Sequence, residues 1–195
     1  MKILFIAITL LLLGGCVAVS TKSFLDPSIQ KISYEDIQRR SVPLKLKLFV
    51  EFQVNGKHYP AGDSELKDIA ERVLRGTGVI VPVEKQSDGE IKVLVNNFID
   101  PDKLFAQGFK AGLTFGIVGK TLLDGYEMTV SITANGKTAN ITAINHAIYS
   151  TIGNLSPPIG TEVISTTVAV RRVIEQMLLR AIQKMQKTGE LTQIQ

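Results

Sequence analysis

Residues 44–55 constrain the fold more than any other stretch. Leu44, Leu46, Leu48, Val50, Phe52 and Val54 fall on one side of an extended chain. Lys45, Lys47, Phe49, Glu51, Gln53 and Asn55 fall on the other. Side chains of a strand point alternately to its two faces, so this period of two predicts a strand with one buried face. Asn55-Gly56 follows as a hairpin signal, because both residues tolerate the positive φ that a tight primed turn requires. The chain is then expected to fold back briefly over 57–59 before Pro60.

The next elements follow from the same periodicities. Asp63 or Ser64 can cap a helix by accepting from the free amides of its first turn. Leu66, Ile69, Ala70, Val73 and Leu74 make one apolar stripe at helical spacing, and Gly76 fits just past its end. Strands are predicted at 79–83 (shortened by Pro82, which cannot donate to a ladder), at 90–98 and at 126–133. Asn135-Gly136 is a second hairpin signal, and 137 to about 149 returns as partner of the third of these strands. A loop holds Gly153-Asn154 and Ser156-Pro157-Pro158. A long helix from 162 to about 187 closes the order, with Val163, Thr167, Val170, Ile174, Met177, Ala181 and Met185 as its core stripe. The fold class expected is α+β: a mostly antiparallel sheet of about five strands with two main helices, plus an apolar Gly-rich segment.

That segment is 103–123. Gly108, Gly112 and Gly116 form two overlapping GxxxG spacings, and with Gly119 they span roughly an 80° arc of a helix at about 100° per residue. The pattern resembles the glycine zippers of membrane-associated and oligomerising segments, where a groove lets another backbone approach closely. Glycine costs roughly 1 kcal/mol per helical position relative to alanine, so a helix here needs packing along that face. Three readings stay open: packing within its own domain, contact with membrane, and self-association. A full span is disfavoured by Lys110. Gly116 to Thr121 is not a phosphate-binding loop, since Thr114 stands where that loop needs its first glycine.

Chemistry-bearing residues are sparse. The two histidines, His58 and His146, come without an HExxH, CxxC or aspartate-rich loop, so no metal site is expected and no cofactor is implied. Ser150 with His146 lacks the nucleophile elbow of a hydrolase. Asn96-Asn97 and Asp100-Pro101-Asp102 read as strand-end and loop chemistry, and 149–154 as either a turn or a recognition loop. The net charge of +4 is spread along the chain without a basic block, so nucleic acid is not an expected partner. The apolar fraction of 45% is that of a domain with a core.

The N-terminal residues carry the sharpest motif. Met1-Lys2 is a basic start, an apolar run fills 3–13, and Leu13-Gly14-Gly15-Cys16 follows with the chain's one cysteine. The layout is that of a secretory signal, and the run is shorter than the about 20 residues a membrane span needs. Its end resembles the lipobox of bacterial lipoprotein precursors. The resemblance implies cleavage before Cys16 and several acyl chains on it, enough for stable anchoring. Val17 stands where an aspartate would imply inner-membrane retention, so in a Gram-negative host the resemblance implies the outer membrane, facing the periplasm. The folded part suggests, in element order, the α+β domains of envelope-assembly accessory lipoproteins. It also resembles uncharacterised lipoproteins with a Gly-rich segment followed by an Asp-Gly-Tyr strand, here Asp124-Gly125-Tyr126.

The expected organisation is therefore a signal peptide (1–15), a lipidated Cys16 with a tether (16–41), one α+β domain (42–189) and a tail (190–195). The expected role is non-enzymatic: a lipid-anchored envelope protein that binds or scaffolds other envelope components. The alternative is a membrane-active or oligomerising protein working through 103–123.

Overall fold

In a computed structural model of the chain, residues 21–99, 120–152 and 156–194 are described. Among them are seven strands: β1 (Thr21–Leu25), β2 (Leu44–Val54), β3 (Lys57–His58), β4 (Ile80–Pro82), β5 (Gly89–Phe98), β6 (Lys120–Ala134) and β7 (Lys137–Ile152). Three α-helices accompany them: α1 (Asp63–Thr77), α2 (Thr166–Lys187) and α3 (Glu190–Gln193). The strands form one sheet in the order β1-β7-β6-β5-β2-β3, with β4 also on β2.

The α+β class holds, but the sheet is mixed and larger than expected. β2 runs parallel to both β4 and β5, while β5-β6, β6-β7 and β7-β1 are antiparallel. A strand's own alternation fixes which face is buried and not which way its neighbour runs. The parallel β2-β4 pair is joined through α1, the crossover that a parallel pair requires.

Both Asn-Gly hairpins form. Asn55 and Gly56 have φ of 51° and 79°, and Asn135 and Gly136 have 52° and 73°. Leu44, Leu46 and Leu48 are buried while Lys45 and Lys47 are exposed, the predicted alternation. Rows such as Leu48-Ile91-Ile132 and Phe52-Val95-Met128 run across the sheet and face the helices. Leu66, Ile69, Val73 and Leu74 of α1 and Val173, Ile174, Met177, Leu178 and Ile182 of α2 close that core.

Several expectations are corrected. α1 is not capped by a side chain; Gly62 precedes it, and Asp63 turns back to accept from the Phe52 amide. The helix ends on Gly78 at φ 67°, not on Gly76, which lies inside it with the Tyr34 ring where a Cβ would stand. α2 starts at Thr166 behind its cap Ser165, so Val163 lies outside the helix and is exposed, as is Thr167. β6 begins at Lys120, so the last four residues of 103–123 belong to a strand.

The tether and the tail are not loose ends. β1 is an edge strand on β7, and Phe24, Ile32 and Ile37 are buried. Residues 30–38 then lie along α2. The Gln176 side chain donates to Ile32 O and accepts from Ile32 N–H, each at 2.8 Å, and Gln186 does the same to Gln38. Leu191 and Ile194 bury beyond α2. No composition signal marks these contacts, because two glutamine amides imitate a β-ladder that periodicity cannot reveal.

Candidate functional site

A cleft of about 660 Å³ opens where β1 leaves the sheet. One wall is the turn after β1, tied by Asp26, whose Oδ1 accepts from the Ser28 amide at 2.9 Å and hydroxyl at 2.7 Å. A second wall is α2, through Arg172, Glu175 and Gln176. The third is the loop from Pro158 to Glu162, which reverses at Gly160 with φ 83°. His146 of β7 reaches the cleft from beneath.

Its charges are largely matched. Glu162 sits between the Arg172 guanidinium, which it meets in an ion pair, and Lys31 Nζ at 3.8 Å. The Arg172 hydrogen bond holds the Glu162 carboxyl below the usual carboxylate range. Glu175 accepts from the Tyr34 hydroxyl at 2.7 Å, and burial with that carboxylate pushes the phenol up. Arg180, lowered by burial, donates to Gln30 O.

His146 is 2% exposed, and burial pushes its imidazole down to about 4. Nδ1 accepts from the Ala147 amide at 2.8 Å, which requires that nitrogen to be unprotonated. The proton of the neutral ring is therefore on Nε2. With an uncharged imidazole and carboxylates held ionised, the cleft is built to hold a ligand between mixed charges and the apolar surfaces of Leu25, Ile29 and Pro158. Asp26, Lys31, Glu162, Arg172 and Glu175 were not singled out by sequence, because four different segments supply them and the Cleft.

The imagined hydrolytic pair does not assemble. Ser150 lies four residues beyond His146 on the same side of β7, roughly 13 Å along the strand. Its Oγ instead meets Ser23 Oγ at 2.9 Å, which also meets Thr166 Oγ1 at 3.0 Å. That buried hydroxyl chain fastens β1 to β7 and to the first turn of α2. His58 pairs with Asp63 at 2.8 Å and closes the β3 turn onto α1. Asn96 accepts from the Gly56 amide and Asn97 donates to Gly125 O, both structural roles.

Cys16, Gly108, Gly112, Gly116 and Gly119 lie outside the described residues, as do Asp100-Pro101-Asp102 and Gly153-Asn154. Lys120-Thr121 opens a strand, where a phosphate-binding loop would open a helix. Among the described residues, no group of three His, Cys, Asp or Glu is placed to hold a metal. No helix among them is long and apolar enough to cross a membrane.

No family model and no curated protein matches the sequence. Among solved structures, a PelC dodecamer from Paraburkholderia phytofirmans is similar at 11% identity, over 84% of this chain and 98% of that one, with a TM-score of 0.32. A DUF4136 family protein from Bacteroides thetaiotaomicron is another structural neighbour, at 10% identity over 89% and 96% of the two chains, with a TM-score of 0.29. Likeness at these scores carries no statement about activity.

Proposed function

We propose that the chain is a lipid-anchored protein of the bacterial cell envelope, held by acyl chains on Cys16 and acting as a non-enzymatic binding or scaffolding body. In a Gram-negative host its place is the outer membrane, facing the periplasm. One observation carries this reading: the Leu13-Gly14-Gly15-Cys16 motif stands five residues ahead of Thr21, where β1 begins. Five residues reach at most about 18 Å when fully extended. A body fastened that close to its anchor works at the membrane surface, and the cleft beside His146 is its seat for a partner or ligand.

The test is partition of wild type and Cys16→Ala between membrane and soluble fractions. Wild type in the membrane and the variant in the soluble fraction are expected; equal partition sinks the anchor.

A second reading, in which 103–123 contacts lipid or a second copy, has one observation in its favour. Lys120 pairs with Ile152, and Ile152 with Thr21, so that segment returns to the sheet beside the strand that leads from the anchor. Gly112→Leu should then abolish crosslinked oligomers or liposome leakage. A wild-type monomer that leaves liposomes intact removes this reading.

A further inference from the structure

Three large apolar side chains stand exposed at one end of the molecule. Leu122, Val163 and Val168 are 50%, 47% and 37% exposed. Printed contacts gather them around Ser23. Leu122 pairs with Ser150, which pairs with Ser23. Ile164, next to Val163, exchanges backbone hydrogen bonds with Ser23 in both directions. Val168 lies in the first turn of α2, where Thr166 bonds the Ser23 hydroxyl. Ile99, 54% exposed, follows the last residue of β5 at this same end.

This end is also where the chain arrives from Cys16. Thr21, Ile152 and Lys120 form the terminal row of the sheet, one residue beyond the Ser23-bearing rows. Burying apolar surface is favourable in proportion to its area, so a cluster of this kind in water calls for a cover. The distance from Cys16 names the cover. Within about 18 Å of an acylated residue, the nearest apolar medium is the bilayer itself.

We infer that the face formed by Leu122, Val163, Val168 and Ile99 is a lipid-docking surface that lays the sheet's β1 end on the membrane. The inference rests on the anchored reading above, and it adds an orientation: acyl chains give attachment, and this face gives a defined stance. The opposite end, with Val42 74% exposed ahead of Leu44, then points away from lipid. β6 alone separates the two ends by roughly 45 Å, at about 3.3 Å per residue.

The test uses the full chain, extracted from membranes and reconstituted into vesicles of phosphatidylethanolamine and phosphatidylglycerol. With Cys16 acylated, an introduced cysteine is the one free thiol. Leu122→Cys, Val163→Cys, Val168→Cys and the control Val42→Cys each receive an environment-sensitive fluorophore, read with brominated lipid and with aqueous iodide. All four positions are exposed, so folding is retained, and far-UV circular dichroism checks it. The expected result is several-fold stronger quenching by brominated lipid at 122, 163 and 168 than at 42, with the reverse order for iodide. Vesicle-bound protein with equal quenching at all four overturns the docking face and leaves the anchor standing. Shielding of the three sites from both quenchers means that a protein or a second copy covers them, which also overturns it. The lipid-side pattern persisting in Cys16→Ala supports the face and removes the anchor. Protein that stays off the vesicles removes both.

Discussion

Protonation of His146 should unfold the protein over a defined pH window. In the unfolded chain the imidazole titrates at 6.5, and in the fold at about 4, chiefly because burial disfavours the cation. Arg180 adds to that depression, while the Asp26 carboxylate opposes it. Below 6.5 the unfolded state binds a proton that the native state refuses, so stability falls as pH falls. The contribution is fully present above about 6.5 and is lost progressively down to about 4. At about 1.4 kcal/mol per pH unit, the whole gap is worth roughly 3 kcal/mol. The assay is urea unfolding at several pH values from 7.5 to 4, comparing wild type with His146→Gln, which keeps a polar side chain and does not titrate. Carboxylates common to both cancel in the comparison. Wild type should lose up to roughly 3 kcal/mol more than the variant across the window. Parallel stability profiles for the two proteins refute the argument, as does an imidazole proton resonance for His146 that titrates near 6.5.

Other substitutions test the packing. Gln176→Ala removes both hydrogen bonds to Ile32 and should cost about 1–3 kcal/mol, with faster amide exchange at Ile32; unchanged exchange there argues against the glutamine clip. Gly89→Ala would place a Cβ 2.1 Å from Thr133 O, a backbone atom in the adjoining strand, so the β5-β6 ladder must open there. A loss of about 1–3 kcal/mol is expected, read as a lower urea midpoint with an unchanged slope; a neutral variant contradicts that close approach. Met177→Ala empties a site with no exposed surface beneath α2 and should cost about 2–5 kcal/mol in the same titration, whereas a cost near zero would mean the helix is not seated on the sheet.

Residues with a strong local period were legible in the sequence. The buried side of β2 and the left-handed Asn-Gly turns follow from two-residue alternation and from φ alone. The core face of α2 is readable at Ile174, Met177, Ala181 and Met185. It fails at Val163 and Thr167, because Ser165 starts the helix later and those two never share its stripe. β1 hid for a different reason. Its Ser23 is wholly buried against the hydroxyls of Ser150 and Thr166, partners more than a hundred residues away, so nothing near it in sequence marks it as interior. The cleft was illegible for the same cause: Asp26, His146, Glu162 and Arg172 meet only after the sheet closes.

The pairing of β1 with β7 sets the schedule on which this chain can complete itself. The first strand to emerge on export is an edge whose ladder partner lies at the far end of the sequence, and whose remaining edge is bonded by Ile164, just ahead of α2. Loop closure over that separation comes late and makes folding slow, since distant contacts reward the chain only after their entropy is spent. Until then Phe24 and its neighbours are unpaired β-forming surface, open to association with other chains. An exported chain of this design needs a holding partner, or a tethered start, for as long as its last third is still on the way.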